Sequence, residues 1–401
     1  MVQAERASLP GEEPRGPAVS EMWFPTRIVF GEGAVRRLPQ ELARLNARKP
    51  LVVTDPTLAR TGLLARCTGP LEEAGLGFAA FQDVDPDPTD GTVDRALAAY
   101  RASGCDALVA LGGGSSIDTA KAVRLLVAHP PPLARYDSAR DGGRLVTNPM
   151  PPMVALPTTA GTGSEVGRMS VVTLAETGRK TLIVAQGLVP STAICDPELT
   201  YGMPPWLTAA TGMDTLAHSL ESRCARGMHP LADAVAQKGL ELCGRYLARA
   251  VRDGGDKEAR AAMVMAAVAG GTALQKGLGA AHSLSHALTH VCGIHHGVAT
   301  AMSLPAMMEF NLDVAAPQLA EVAVALGAPP SDDERALARL AVERVRALSR
   351  EIGIPERLRD ARVREEQLPL LAEKALQDNC HRTNPRPCRG EDLLAMLRAS
   401  Y

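Results

Sequence analysis

Histidines and one aspartate recur at helical spacing in the second half of the chain. Asp214 and His218 are four residues apart, as are His282 and His286, and five of the nine histidines fall between positions 282 and 296. Side chains at i and i+4 of a helix lie on one face, so each pair can converge on one ion. Imidazoles with a carboxylate suit Fe(II), Zn(II), Ni(II) or Co(II) better than Mg²⁺ or Ca²⁺. The spacing predicts one divalent-metal site with a position open for a substrate oxygen, whereas a lone histidine on an apolar helix is more often a core residue.

Two turns rich in glycine and hydroxyl groups occur in the first half of the chain. They are GGGSSIDTAK at 112–121 and PTTAGTGSE at 157–165, and each follows an apolar run typical of a strand. Glycine lets the backbone approach a ligand, and the start of a helix offers free N–H groups to a pyrophosphate. One such turn is often purely structural. Two turns at the carboxyl ends of strands in one parallel sheet predict a nucleotide site.

Asp55 stands at the end of the first predicted strand, directly before Pro56. A carboxylate at this place can accept hydrogen bonds from a ribose diol and would repel a 2′-phosphate. We therefore expect NAD(H) to be preferred over NADP(H). The alternative is that Asp55 is only a turn residue.

The elements that must position these residues differ between the two halves. Up to about residue 195, strands alternate with helices, and this order is typical of a parallel sheet covered by helices. After Pro204 the pattern is helical throughout. Strands are predicted at 50–55, 77–84, 106–114 and 153–159, and helices at 91–104, 115–129, 205–225, 230–252, 257–275 and 331–353. The sequence thus predicts a flexible tail (1–21), an α/β nucleotide-binding domain with a parallel sheet (22–200) and an all-α metal-binding domain (201–401).

The composition excludes several other classes of protein. A length of 401 residues suits two domains, and a net charge of −2 implies no basic face for nucleic acid. Aromatic residues are scarce, and no apolar run is long enough to span a bilayer or to act as a signal peptide. The eight cysteines form no CxxC pair, which favours reduced thiols and a cytoplasmic location. We expect a small-molecule enzyme with no nucleic-acid or membrane partner.

Several motifs together resemble the iron-containing (group III) alcohol dehydrogenases over roughly residues 23–400. Besides the two turns, they are CDPELT, TAATGMDTLAH, KGLGAAHSLSHAL, HHG and TNPRP. The resemblance implies a dehydroquinate synthase-like fold in which an α/β dinucleotide-binding domain precedes a helical metal domain. It also implies hydride transfer between NAD(P)(H) and a small primary alcohol or its aldehyde. The metal expected is one Fe(II), with Zn(II) as the alternative, in a homodimer or larger homo-oligomer.

The resemblance assigns roles residue by residue. The implied metal ligands are Asp214, His218, His282 and His296. His286 falls where the family has a histidine near the nicotinamide, and we expect it to relay the proton as the catalytic residue. Positions that match cofactor contacts are Asp55, Gly113, Gly114, Ser115, Thr158, Thr159 and Lys180. On its own sequence context, Lys180 would be a solvated hairpin residue.

Three positions depart from the family pattern. Asp87 replaces an asparagine expected near the adenosine ribose, which would further disfavour a 2′-phosphate. Gly167 replaces a threonine and would open space beside the nicotinamide. His295 replaces a proline directly before His296, the implied fourth metal ligand.

The segment QDNCHRTNPRPC at 377–388 bears on the substrate, because it most resembles the 4-hydroxybutyrate dehydrogenase branch. His381 and Arg382 at the mouth of a metal pocket could hold an anionic tail, as in 4-hydroxybutyrate or succinic semialdehyde. The alternative is that Arg382 and Arg386 are surface or interdomain residues. Other activities on the same fold are a phosphonoacetaldehyde-type reductase, a hydroxyacid–oxoacid transhydrogenase and, more distantly, a dehydroquinate synthase-like lyase.

Overall fold

The first part of the chain is built on a parallel sheet. The computed structural model describes residues 22–24, 26–176 and 178–401, so the tail predicted for residues 1–21 lies outside the described residues. The strands are β1 (Arg27–Phe30), β2 (Pro50–Val53), β3 (Ala79–Phe81), β4 (Ala107–Gly112), β5 (Met153–Pro157), β6 (Met169–Leu174), β7 (Arg179–Val184) and β8 (Thr192–Cys195). Six of them form one parallel sheet in the order β1-β8-β5-β4-β2-β3, whereas β6 and β7 pair as an antiparallel hairpin.

Helices cover both faces of this sheet because alternate residues of a strand point to opposite sides. They are α1 (Leu38–Arg44), α2 (Pro56–Arg60), α3 (Leu63–Glu73), α4 (Asp90–Ala102) and α5 (Gly114–Ala128). Val52 and Val109 belong to the core that includes α1 and α3, whereas Leu51 and Leu108 belong to the core that includes α4 and α5. Both β2 and β4 are buried along their whole length, as expected when a parallel sheet is covered on both sides.

The second part of the chain is entirely helical among the described residues. Its helices are α6 (Pro205–Cys224), α7 (Pro230–Arg252), α8 (Lys257–Ala273), α9 (Ala280–Cys292), α10 (His296–Asn311), α11 (Ala316–Ala325), α12 (Glu334–Glu351), α13 (Leu368–Gln377) and α14 (Gly390–Ser400). The central helix α6 packs against α7, α8 and α10 and is buried over most of its length, whereas α9 lies between α10 and α13. None of the described helices is long and apolar enough to cross a membrane.

The predicted fold class is confirmed, and the differences lie at element ends and in the hairpin. The strand expected at 77–84 is only Ala79–Phe81, because the chain leaves the sheet before Asp83. The β6–β7 hairpin was not predicted as part of the fold. Alternate β6 side chains are buried where the hairpin packs on α5, and this docking cannot be seen in the sequence.

Candidate active site

The helix α6 carries two of the expected metal ligands into the protein interior. A small residue of α8 allows close packing on this helix, because a Cβ on Gly270 would lie only 3.2 Å from Cβ of His218. Asp214 and His218 lie one turn apart on this helix and are both buried. A buried carboxylate is unfavourable unless positive groups or hydrogen-bond donors surround it. The surroundings of Asp214 therefore indicate what the site holds.

Three imidazole nitrogens surround one oxygen of Asp214. From Asp214 Oδ1, the Nε2 atoms of His218, His282 and His296 lie 3.7, 3.6 and 3.3 Å away. Tetrahedral ligands at about 2.1 Å from an ion are about 3.4 Å apart, so these separations fit one ion. Asp214 Oδ1 and His282 Nε2 are buried without a hydrogen-bond partner among the described residues. The ligand atoms of Asp214, His218 and His282 lie within 4.8 Å of one another, and His296 approaches the group through Asp214, so the donor set fits a divalent transition metal.

The outer nitrogens of two imidazoles are held by neighbouring side chains. His282 Nδ1 contacts the Glu221 carboxylate, and His296 Nδ1 lies 3.0 Å from the hydroxyl of Ser285. Such contacts direct the other ring nitrogen towards a metal. Glu221 also accepts a hydrogen bond of 2.8 Å from the amide of Ala281, at the start of α9. It was missed in the sequence, although it follows Asp214 by two helical turns.

The electrostatics of this cluster depend on burial and on the two carboxylates. Burial disfavours the charged form of Asp214, but the imidazoles of His218, His296 and His282 hold its pKa well below its usual value. Burial lowers the pKa of His218 to about 4, so its ring is neutral at pH 7. For His282, burial is outweighed by Glu221 and Asp214, which raise its pKa to about 10. An ion would therefore displace a proton from His282 on binding.

The histidine expected to relay a proton lies beside this cluster and has a carboxylate partner of its own. The ring of His286 stacks on that of His296 with centroids 5.2 Å apart, and its Nδ1 lies 2.8 Å from Asp378 Oδ2. The other oxygen of Asp378 accepts hydrogen bonds from Ser283 Oγ and the amide of Cys380. Burial would raise the pKa of Asp378, but these partners hold it well below its usual range. Asp378 was not singled out in the sequence.

The two glycine turns contact each other at the carboxyl end of the sheet. A Cβ on Gly113 would lie 3.2 Å from Thr159 Oγ1, and one on Gly114 only 2.9 Å from Thr162 Cγ2. The helix α5 begins at Gly114 without a side-chain cap, so its first N–H groups are available to an anion. The Ser115 hydroxyl donates to the Pro86 carbonyl at 2.7 Å. Thr158, in the second turn, is buried, and its amide donates to the Gly112 carbonyl.

The other expected cofactor residues lie near these turns and have protein partners. Asp55 caps α2, because its Oδ1 accepts hydrogen bonds from the amides of Thr57 and Leu58. This capping is compatible with the alternative of a turn residue, while Asp55 Oδ2 has no partner among the described residues, so the cofactor role stays a prediction. Lys180 Nζ lies 3.2 Å from Asp87 Oδ1, so this lysine of the β6–β7 hairpin forms an ion pair with the aspartate that departs from the family pattern.

The remaining sequence candidates lie at the periphery of the site. The amide of His381 donates to Ser283 Oγ, but its ring nitrogen Nε2 contacts the Leu376 carbonyl at 3.1 Å. Arg382 is exposed, and its guanidinium has no partner among the described residues. His295 lies edge-on to Trp206, with ring centroids 5.7 Å apart. A Cβ on Gly167 would make only ordinary contacts, the nearest at 3.4 Å, so this position has room for a side chain.

A transition-metal donor set in a helical domain, beside two glycine turns at the carboxyl end of a parallel sheet, defines a metal-dependent dehydrogenase of the two-domain type. Comparison with known proteins identifies the family. Residues 25–197 match the family described as iron-containing alcohol dehydrogenase, and residues 208–401 match the C-terminal part of the Fe-containing alcohol dehydrogenase family. The chain belongs to the iron-containing alcohol dehydrogenase family and is an oxidoreductase, as its motifs predicted.

Individual relatives span almost the whole chain. The 4-hydroxybutyrate dehydrogenase of Cupriavidus necator is 39% identical over 94% of this chain and 99% of its own length. The NAD-dependent methanol dehydrogenase of Bacillus methanolicus is 37% identical over 95% of this chain and 99% of its own. The crystal structure of a 1,3-propanediol oxidoreductase superposes with a TM-score of 0.93 at 36% identity, covering 96% of this chain and all of that one.

Proposed function

We propose that this enzyme transfers hydride between NAD(H) and a small primary alcohol or its aldehyde. We further propose a natural substrate with an anionic tail, as in 4-hydroxybutyrate and succinic semialdehyde. The observation that carries the proposal is the approach of three imidazole Nε2 atoms to Asp214 beside a histidine oriented by the half-buried carboxylate of Asp378.

The side chains of the site have separable roles. When bound, a divalent ion such as Fe(II) or Zn(II) would supply a Lewis acid for the alcohol oxygen, and a nicotinamide would supply the hydride acceptor or donor. The residues that would hold the ion are Asp214, His218, His282 and His296. His286 moves the proton. Because its Nδ1 is held by Asp378, its Nε2 lone pair is left to receive the alcohol proton, and the carboxylate stabilises the resulting imidazolium.

The preference for NAD(H) is supported by Asp55. One of its oxygens caps α2, and the other has no partner among the described residues, so it is available to a ribose hydroxyl. The same charge would repel a 2′-phosphate. The pyrophosphate would lie at the uncapped start of α5, next to the second turn, where Thr158 and Thr159 offer hydroxyl groups.

The anionic tail is supported by Arg382 and by the similarity to a 4-hydroxybutyrate dehydrogenase. Arg382 lies four residues after Asp378, the partner of His286. The Arg382 guanidinium lacks a protein partner among the described residues. An unpaired arginine can bind a carboxylate through two parallel hydrogen bonds. The methanol dehydrogenase relative is named for an uncharged substrate, so an uncharged aldehyde is the proper comparison.

The test compares succinic semialdehyde with butanal, using NADH and NADPH on Fe(II)- and Zn(II)-loaded protein. Arg382→Ala should raise KM for the semialdehyde by roughly 10- to 100-fold, the value of a charged hydrogen bond, and leave butanal nearly unchanged. Arg389→Ala, at an exposed site a few residues on, is the matched control. A native preference for butanal, or equal damage to both aldehydes, would exclude the anionic tail. Asp214→Ala should abolish stoichiometric metal binding, and a variant that keeps metal and turnover would exclude the proposed centre.

A further inference from the structure

A buried hydroxyl group joins the metal-bearing helix to the second glycine turn. Thr215 directly follows Asp214 on α6 and is fully buried. Its Oγ1 lies 3.0 Å from the carbonyl oxygen of Ala160 and 3.2 Å from that of Gly161. A threonine hydroxyl has one proton, which is shared here between two acceptors. One helical turn thus carries a carboxylate of the metal cluster and a donor to the turn that contains Thr158 and Thr159.

The second turn also meets the helical domain through close glycine contacts and through the apolar side chains of Ala160 and Val166, which belong to the core around α6. A Cβ on Gly163 would lie 2.5 Å from Cα of Gly271 in α8, and one on Gly161 would lie 2.8 Å from Cβ of Thr211. The glycine contacts limit how closely the turn approaches, and the apolar packing has no preferred direction. The hydroxyl of Thr215 adds a directional polar link between the turn and α6.

The other side-chain hydrogen bonds between the two halves of the described chain lie at the exposed surface. They join the amide of Trp23 to Gln275, and Glu32 to Tyr201 and Lys257. Exposed hydrogen bonds compete with water and restrain position weakly. The hydroxyl of Thr215 is therefore a buried polar link between the domains, next to His218, whose imidazole also interacts with the Gly161 backbone.

The turn is anchored to the α/β domain on its other side. Ser164 Oγ donates to Asp118 Oδ1 at 2.5 Å, and the buried Lys121 donates to Ser164 Oγ and to the Gly167 carbonyl, both at 2.9 Å. Asp118 and Lys121 lie on α5, which starts at the first glycine turn. The second turn therefore stands between α5 and α6, with buried hydrogen bonds to each.

We propose that Thr215 is a positioning residue for hydride transfer. It holds the turn that carries Thr158 and Thr159 against the helix that carries Asp214, and so sets the separation between the nicotinamide and the reacting carbon. The inference rests on the proposed function. Hydride transfer depends steeply on this separation, because a misplacement of 1 Å can lower a rate about 100-fold. Without the hydroxyl, two buried carbonyls lose their donor and the turn is less firmly held.

The test uses three variants of the metal-loaded enzyme. Thr215→Val removes the hydroxyl at nearly constant volume, and Thr215→Ser keeps the hydroxyl but removes the methyl group. Thr211→Val is the matched control, because Thr211 lies one turn earlier at the same interface and its hydroxyl donates to Leu207 of its own helix. We would measure metal content, NADH affinity by fluorescence and amide hydrogen exchange of the peptide at 157–167. We would also measure kcat, KM and the primary deuterium isotope effect with a C1-deuterated alcohol.

Thr215→Val should keep its metal and its KM for the alcohol. Its 157–167 amides should exchange at least several-fold faster, and kcat should fall roughly 10- to 100-fold with a larger isotope effect. Thr215→Ser should restore both, and Thr211→Val should match the wild type. The proposal is overturned if Thr215→Val matches Thr211→Val in exchange and isotope effect, or if it loses metal, which would assign the hydroxyl to packing around Asp214. Should the wild type oxidise no alcohol, the proposed function fails, and hydrogen exchange still decides whether Thr215 holds the turn.

Discussion

Replacing Glu221 by glutamine should weaken metal binding without removing any metal ligand. The Glu221 side chain is buried, with one oxygen against Nδ1 of His282 and the other accepting the amide of Ala281 at 2.8 Å. A glutamine has the same size and can still cap α9 through its oxygen. Its NH₂ group then faces His282 Nδ1 as a donor, so Nδ1 must lose its proton. The remaining proton moves to Nε2, the nitrogen that faces Asp214, and blocks it as a ligand.

The expected loss follows from this change of tautomer. Partners that orient a ligating histidine are worth about 10- to 100-fold in metal affinity, which is roughly 1.4–2.7 kcal/mol. The assay is titration of metal-free protein with Co(II) against a competing chelator, with helix content checked by circular dichroism. Glu241→Gln is the control, because Glu241 is exposed on α7 and pairs only with Lys238 among the described residues. An affinity of Glu221→Gln within twofold of the wild type would refute the reasoning.

Three further predictions address the proton relay, the cofactor and pH. His286→Ala should retain stoichiometric metal by elemental analysis and lose roughly 10²- to 10⁴-fold in kcat, and loss of metal would make His286 a ligand instead. Asp55→Asn keeps an oxygen to cap α2 but removes the charge, so the ratio of kcat/KM for NADPH over NADH should rise, and an unchanged ratio would contradict the role of Asp55. Burial raises the pKa of Glu165 to about 7, so its folded form holds a proton that its unfolded form releases near pH 4.5. The stability that this protonated carboxyl contributes is present below pH 4.5 and lost by pH 7. As pH rises through this window, the free energy of unfolding of Glu165→Gln should increase relative to that of the wild type by up to about 3 kcal/mol, measured by thermal unfolding. Parallel pH profiles of the two proteins would contradict this.

The sequence predicts those parts of the site that depend on local spacing. The strands β2 and β4 are continuous apolar runs, and Asp214 and His218 share a helix face, so both features can be recognised without a structure. Glu221 lies on that same face, but it resembles any solvated helix carboxylate until α9 is seen to begin against it.

The partners that lie far apart in the chain could not be predicted. Asp378 is 92 residues from His286, and no periodicity joins a residue at the end of α13 to one in α9. The same holds for Thr215, whose acceptors lie in the other domain. The ion pair of Asp87 with Lys180 likewise depends on how the hairpin folds back over the segment before α4. These contacts follow from tertiary packing.

All four residues of the metal cluster belong to the helical domain, and they come from three different helices, α6, α9 and α10. A single ion would fasten these helices to one another, much as a disulfide closes a loop of chain, and its binding energy would count towards folding. The two glycine turns contribute no ligand to the cluster, so the ion would hold the three helices together whether or not a nucleotide is bound. Scarcity of metal would then lower the stability of the helical domain as well as the activity. The less stable protein would be degraded faster by proteases, and its amount would fall.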